Sequence, residues 1–416
     1  MAVCTPGDVP SIITSYLGFD CEGANPFVTV RNPADLANWT LPVLELTIIV
    51  GAVLALLHAI RRLRREGDPT NLAIWIGSLV YLFVIEPPLY FPNWFHAEEA
   101  MGFMFSHNVF TVNLMFDRLP LYIVAFYPAL SALAYEIVRA WGFFDGSKRS
   151  ALRGALVVAL VFQVFYEIFD QLGPQLKWWA WNIDAPFYAD TVRELREQGA
   201  QVDALGNPAA VPTLASVPWG SVWLFATVSF AVLIYLAVRL VHNPTAQGQR
   251  PRGWSLVWRI VVAGVVAVIS MPVLSIPTAV FGRDENANQD AQTVVYWIEM
   301  LAVWAIGLVL LYQQWRRLRT HPEIGVTDAR SARPFLVVFP PLFLVVHLVL
   351  WLTALPDFFA AQDGVTADNT PTGSLPYVIV CFVVATGVLV VAILRGRQTT
   401  RTDAPDPKSL ARDVAG

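Results

Sequence analysis

Charge is scarce in this chain. Only 14% of its 416 residues are charged, against roughly 25% in soluble domains. With 56% hydrophobic residues and a mean hydropathy of +0.51, a water-soluble core cannot hide the apolar surface, so lipid must solvate much of it. Lysine is scarcer still: Lys148, Lys177 and Lys408 are the only three among 28 basic residues, a bias that reads as a GC-rich bacterial genome. Three cysteines with no CxxC, CxxCH or Cys/His spacing exclude zinc-ribbon, thioredoxin-type and c-type haem motifs. Cys381 falls in an apolar run and reads as packing. Cys4 and Cys21 share the N-terminal tail, where two readings stay open, a disulfide outside the cell or two unrelated thiols. Also missing are an aspartate-rich prenyl-diphosphate motif, desaturase histidine boxes, GxSxG, a P-loop and haem-spaced histidine pairs. Nothing suggests nucleic-acid binding. The N-terminus lacks the basic start and early apolar core of a signal peptide. It carries Asp8, Asp20, Glu22 and Asp35 against Arg31 alone, so a poorly basic tail is expected to pass outward.

What the chain does have is long apolar runs. Nine, near 42–60, 71–91, 119–138, 152–172, 218–238, 255–276, 293–312, 335–355 and 375–394, approach or reach the roughly 20 helical residues that cross a bilayer. Pro42 and Pro218 suit first-turn positions, where the missing N–H costs nothing. Basic residues then sort by loop. Arg61, Arg62, Arg64 and Arg65 follow the first run; Arg139, Lys148, Arg149 and Arg153 lie between the third and fourth. Arg239, Arg250, Arg252 and Arg259 lie between the fifth and sixth. Arg316, Arg317, Arg319, Arg330 and Arg333 lie between the seventh and eighth, and five more follow Leu394. That makes 22 of 28 in alternate loops, which the positive-inside rule assigns to the cytoplasm.

The expectation is therefore an all-α, polytopic transmembrane helix bundle of about nine spans, N-terminus outside and C-terminus cytoplasmic. Residues 1–41 form an extracytoplasmic tail, 42–394 the bundle and 395–416 a disordered cytoplasmic tail. Cytoplasmic loops are short connectors. The outer loops 92–118, 173–217, 277–292 and 356–374 are longer and hold most of the acidic and aromatic–polar mixtures, which places function on the outer face.

Ionisable groups inside a bilayer are costly and usually face the bundle interior. Gln163, Glu167, Asp170 and Pro174 fall at i, i+4, i+7 and i+11, one helical stripe. Two carboxyls a turn apart in a low dielectric repel, a pair suited to acid–base work, proton carriage or cation binding. The structural alternative is a hydrogen-bonded pair near the outer interface. Tyr166 precedes the pair. Beyond it Lys177-Trp178-Trp179-Ala180-Trp181-Asn182-Ile183-Asp184 is either an interfacial tryptophan belt or the aromatic wall of a ligand site. A second outer cluster joins Glu86-Pro87-Pro88 to His96, Glu98, Glu99 and His107. His96, Glu99 and His107 have ligand chemistry, but no HExxH or repeated HxxH spacing supports a metal. The stretch 97–116 is apolar enough to enter the membrane but is forbidden by the charge rule from crossing it. Arg118, beside Asp117 and Tyr122, either snorkels or pairs with Asp117 or a membrane carboxylate. Glu45, Glu136, Glu299 and His347 punctuate other runs; Glu299 shares a face with Gln292 and Tyr296.

Ser106-His107-Asn108, Arg118-Leu119-Pro120-Leu121-Tyr122, Glu167 to Gly173, Trp178 to Trp181 and Val217-Pro218-Trp219-Gly220-Ser221 together resemble a scattered family of uncharacterised multi-pass membrane proteins. The likeness spans roughly residues 86–230. Where that family continues its aromatic segment with a histidine, this chain has Asn182, which weakens a metal reading. A fainter likeness is to membrane carotenoid-modifying hydratases, whose bundles carry acidic and aromatic residues. Neither likeness names a reaction.

The reading that follows is an intramembrane enzyme or binder for an apolar lipid or isoprenoid, with membrane lipid or an apolar small molecule as partner. The alternatives are a proton- or cation-coupled transporter, for which Glu136 is the inner-half candidate, and a structural envelope subunit. Glu167, Asp170, His107, Arg118 and Glu86 are the candidate catalytic residues. Tyr166, Lys177, Trp178, Trp179, Trp181, Asp184, Tyr122 and Glu299 are the candidate ligand-binding ones. No cofactor and no oligomeric state follow from the sequence.

Overall fold

All nine runs become helices long and apolar enough to cross a bilayer. The computed structural model describes residues 4, 8–95, 104–182, 211–242, 250–282 and 287–397, with six positions between 190 and 198. The spans are α2 (Thr40–Glu66), α3 (Thr70–Tyr90), α4 (Leu121–Ala140), α5 (Lys148–Asp170), α6 (Ser221–His242), α7 (Trp254–Ala279), α8 (Gln289–Thr320), α10 (Phe339–Ala360) and α11 (Leu375–Arg395). A short α1 (Val9–Leu17) precedes them and α9 (Val326–Leu336) lies between α8 and α10. The protein is an integral, multi-pass membrane protein. Below, the end expected to face outward is called outer and the arginine-rich end inner.

Burial ranks the helices. In α4 and α5 the most apolar windows are 89% and 83% buried, against 28% and 17% in α7 and α8. The first pair forms the centre. Alanines at 125, 129, 132 and 134 let neighbours approach α4 closely, as small residues do between membrane helices. Around α4 pack α2, α3 and α9; around α5 pack α6, α8 and α11. The exposed side chains of α7 and α8, among them Val257, Ile269, Ile298, Leu301 and Val309, are apolar and suit lipid contact.

The inner end is tied by buried ion pairs. Glu136 lies 2.8 Å from Arg139 and 3.3 Å from Arg62 and accepts from Asn71 at 2.6 Å. Arg62 also pairs with Asp68, and Arg139 reaches Asp328 on α9 at 2.7 Å. Arg395 donates to the carbonyls of Ala140 and Ile324. The sequence reading treats 313–334 as a connector. Instead, Val326, Ala329, Ala332 and Phe335 recur on one face and are buried, and that amphipathic spacing folds α9 against α4 and α11.

Among the described residues the outer end carries three small sheets. Strands β1 (Val28–Val30), β3 (Val112–Leu114) and β4 (Leu119–Pro120) form one; β2 (Phe105–His107) pairs with β5 (Trp179–Trp181), and β6 (Thr213–Leu214) with β7 (Val217–Pro218). The apolar stretch 97–116, expected to be re-entrant or to lie along the interface, is strand over 105–107 and 112–114. Glu45 accepts from the backbone N–H of Thr111 and Val112 at 3.1 and 3.3 Å, which fixes that stretch to α2. Cys4 and Cys21 form a disulfide that closes the tail around α1. Asp8 caps that helix by accepting from Ser11 at 2.8 Å.

Candidate functional site

Side chains alternate across a strand, and the β2–β5 ribbon uses both faces. The register pairs Phe105 with Trp181, Ser106 with Ala180 and His107 with Trp179. One face therefore shows four rings. The other shows Ser106 and Ala180 with Met104, and α1 packs there through Val9, Ile12, Ile13 and Leu17. Two asparagines clamp the ribbon ends. Asn182 accepts from Met104 N–H at 2.7 Å, and Asn108 donates to the Lys177 carbonyl at 2.8 Å. Asn182 thus serves the backbone.

The ring face of the ribbon roofs a cavity in the outer half of the bundle. Its walls come from Glu86 and Leu89 of α3, Ile123, Phe126 and Tyr127 of α4, Tyr166, Phe169 and Asp170 of α5, and Ser221 and Phe225 of α6. Its volume is about 40 Å³, where one water needs roughly 10–15 Å³, so it holds a few waters or a small polar head. Each carboxyl has a hydroxyl donor: Tyr127 to Glu86 at 2.5 Å and Ser221 to Asp170 at 3.0 Å. The Tyr122 hydroxyl meets His107 Nδ1 at 3.0 Å, and the His107 ring lines the cavity. Burial lowers the His107 pKa to about 3, so the ring is neutral at physiological pH. Donors and acceptors thus face one another across an aromatic enclosure, an arrangement that can pass a proton or orient a polar group.

Of the residues expected at a site, Glu86, His107, Tyr166, Asp170, Trp179 and Trp181 line this one cavity. Glu167 does not. It belongs to a second polar series, Gln163 and Glu167 on α5 with Gln171 and Gln175 in the turns that follow it, at steps of four. Gln163 accepts from Trp304 at 2.8 Å, Gln171 donates to Glu167 at 3.1 Å and accepts from Ser374 N–H at 2.8 Å, and Gln175 donates to the Ala354 carbonyl at 2.8 Å. That series joins α5 to α8, α10 and α11, while Asp170 turns toward α6. The carboxyl facing Asp170 across the cavity is Glu86.

The rest are elsewhere. Trp178 is buried behind the cavity, donating to Thr40 at 2.8 Å. Tyr122 supports His107 from outside the lining. Lys177 lies over the Tyr16 ring at 4.7 Å. Arg118 is not paired with Asp117, which binds Arg31 at 2.7 Å; it donates to Ser106 at 3.2 Å. Burial lowers Arg118 to about 10, with Asp8 acting against that shift, and it remains a cation at neutral pH. Glu299 lies on α8, away from the lining. His347 bonds the Phe343 carbonyl at 2.8 Å and packs in the core. Asp184, His96, Glu98 and Glu99 lie outside the described residues. Among the described residues no group of three or more His, Cys, Asp or Glu is placed to hold a metal ion.

Sequence reasoning missed Tyr127, Ser221, Phe105, Phe126 and Phe225. Tyr127 stands five residues after Tyr122, in a run read only as apolar. Ser221 had a signal, as the first hydroxyl after Pro218, although Pro218 ends β7 rather than opening the helix's first turn. Comparison with protein-family models, with curated proteins and with solved structures finds no match to this chain.

Proposed function

We propose that this membrane protein binds an apolar lipid or isoprenoid in its outer half and acts on it with Glu86 and Asp170 as an acid–base pair. The observation that carries this reading is the single cavity joining those two carboxyls, from different helices, inside aromatic walls. Ligand sites are commonly apolar enclosures with few convergent polar groups, and a carboxyl with a hydroxyl partner is equipped to give or take a proton. Tyr127 and Ser221 hold the two carboxyls in place, and neutral His107 offers a third hydrogen-bonding position. We further propose a plasma membrane location, on the sorting of basic residues into alternate loops.

A transporter needs a route through the inner half. Glu136 is held there by Arg62, Arg139 and Asn71, a paired network that favours a site reached from one side. The protein is purified in lipid nanodiscs and its retained lipids are identified by mass spectrometry. The wild type is expected to keep an apolar species enriched over the surrounding membrane, and Glu86→Gln and Asp170→Asn to lose it at unchanged thermal stability. Retained lipid matching the bulk membrane in all three would overturn the reading.

A further inference from the structure

The carboxyl-bearing side chains of the cavity wall have no basic counterpart in its lining. Glu86 and Asp170 line it and, among the described residues, no lysine or arginine does. His107 is neutral there because burial lowers its pKa to about 3. Arg118, the buried guanidinium nearby in sequence, turns to Ser106 on the ribbon's opposite face and is acted on by Asp8. What surrounds the two carboxyls is aromatic: Phe105, Phe126, Trp179 and Trp181 all reach the lining.

Aromatic faces are negative through their quadrupole and attract a cation within about 6 Å of the ring centre. An ionised carboxyl in a low-dielectric space is costly unless a positive group compensates it. A cation in the cavity compensates Glu86 or Asp170 and gains from the rings, whereas an anionic head does neither. The volume of about 40 Å³ suits a small head rather than a ring system. We propose that the ligand's polar end is an alkylammonium-type cation seated in this cavity with Glu86 and Asp170, against its aromatic walls. This rests on the reading of the cavity as a ligand site and names the chemistry of what it takes.

A charge series of one size tests it: butylammonium, butanol and butyrate, titrated calorimetrically against the full chain in nanodiscs of phosphatidylglycerol alone. Butylammonium is expected to bind about tenfold or more tightly than butanol, and butyrate most weakly. Glu86→Gln and Asp170→Asn, each checked by thermal unfolding, should each lower that preference at least threefold. Should one variant fail to fold, the other and the wild-type series decide. Butanol binding as tightly as butylammonium, with both weakened by Trp179→Ala, would overturn the cationic ligand and keep the cavity as an apolar site. No binding by any of the three would overturn both readings. Adding phosphatidylethanolamine to the nanodiscs distinguishes the sources. Competition with butylammonium assigns the cation to a lipid head group, and its absence assigns it to a free amine; either outcome upholds a cation site.

Discussion

Asp170 and Glu167 are three positions apart and do different work, and the difference is angular. At about 100° per residue, positions i and i+3 diverge by roughly 60°, enough for one side chain to face α6 and the other α11. A sequence reveals the spacing but not which neighbours fill the two directions, so the pair reads as one stripe. Glu136 posed the opposite problem: its partner Arg139 is visible one turn on, yet Arg62 and Asn71 come from other helices. His107 allows a direct test at this scale. Its pKa is about 6.5 in an unfolded chain and lowered to about 3 in the fold, so below about 6.5 the unfolded state takes up a proton that the folded state refuses. Stability from this site is fully present above about 6.5 and falls as the pH drops toward 3, by up to about 1.4 kcal/mol per unit. Thermal unfolding of wild type and His107→Gln between pH 7 and pH 5 should converge as the pH falls. Parallel curves would show that His107 is not held neutral.

The spans were legible because a run of apolar residues must be a helix in lipid, where each backbone N–H needs its own partner. The ribbon was harder. Three residues per strand give too short an alternation to stand out, although Phe105-Ser106-His107 and Trp179-Ala180-Trp181 both show it, large side chains flanking a small one. Their pairing spans more than 70 positions and has no local signal. Gly173 has a role that only the assembled ribbon explains. A Cβ built there meets the six-membered ring of Trp179, so the close approach of α5's end to the ribbon requires glycine. Gly173→Ala should leave the far-ultraviolet helix signal unchanged, alter the near-ultraviolet tryptophan signal, and lower ligand retention by tenfold or more through displacement of a cavity wall. A variant that retains ligand like the wild type would show that Trp179 has room to move.

For the whole molecule, the charge asymmetry is what the sequence states most plainly, and the helix order agrees with it. Among the described residues, the arginine-rich loops gather at the end where Arg62, Arg139 and Arg395 are buried. Single cysteines placed at exposed Asp363 and Gly146, in a background with Cys381→Ala, give a check with a membrane-impermeant thiol reagent on intact cells. Labelling at 363 and protection at 146 are expected; the reverse would invert the assignment. The α1 cap bears on how such a molecule is made. Its disulfide joins residues 17 apart and needs nothing later in the chain, whereas the surface on which α1 rests includes Met104 and Ala180. An emerging chain can therefore close the tail early, but it cannot seat it until the fourth span has been inserted and residue 180 delivered to the same side. For most of the first half of synthesis the cavity has no roof, and translation past α5 is the step that supplies it.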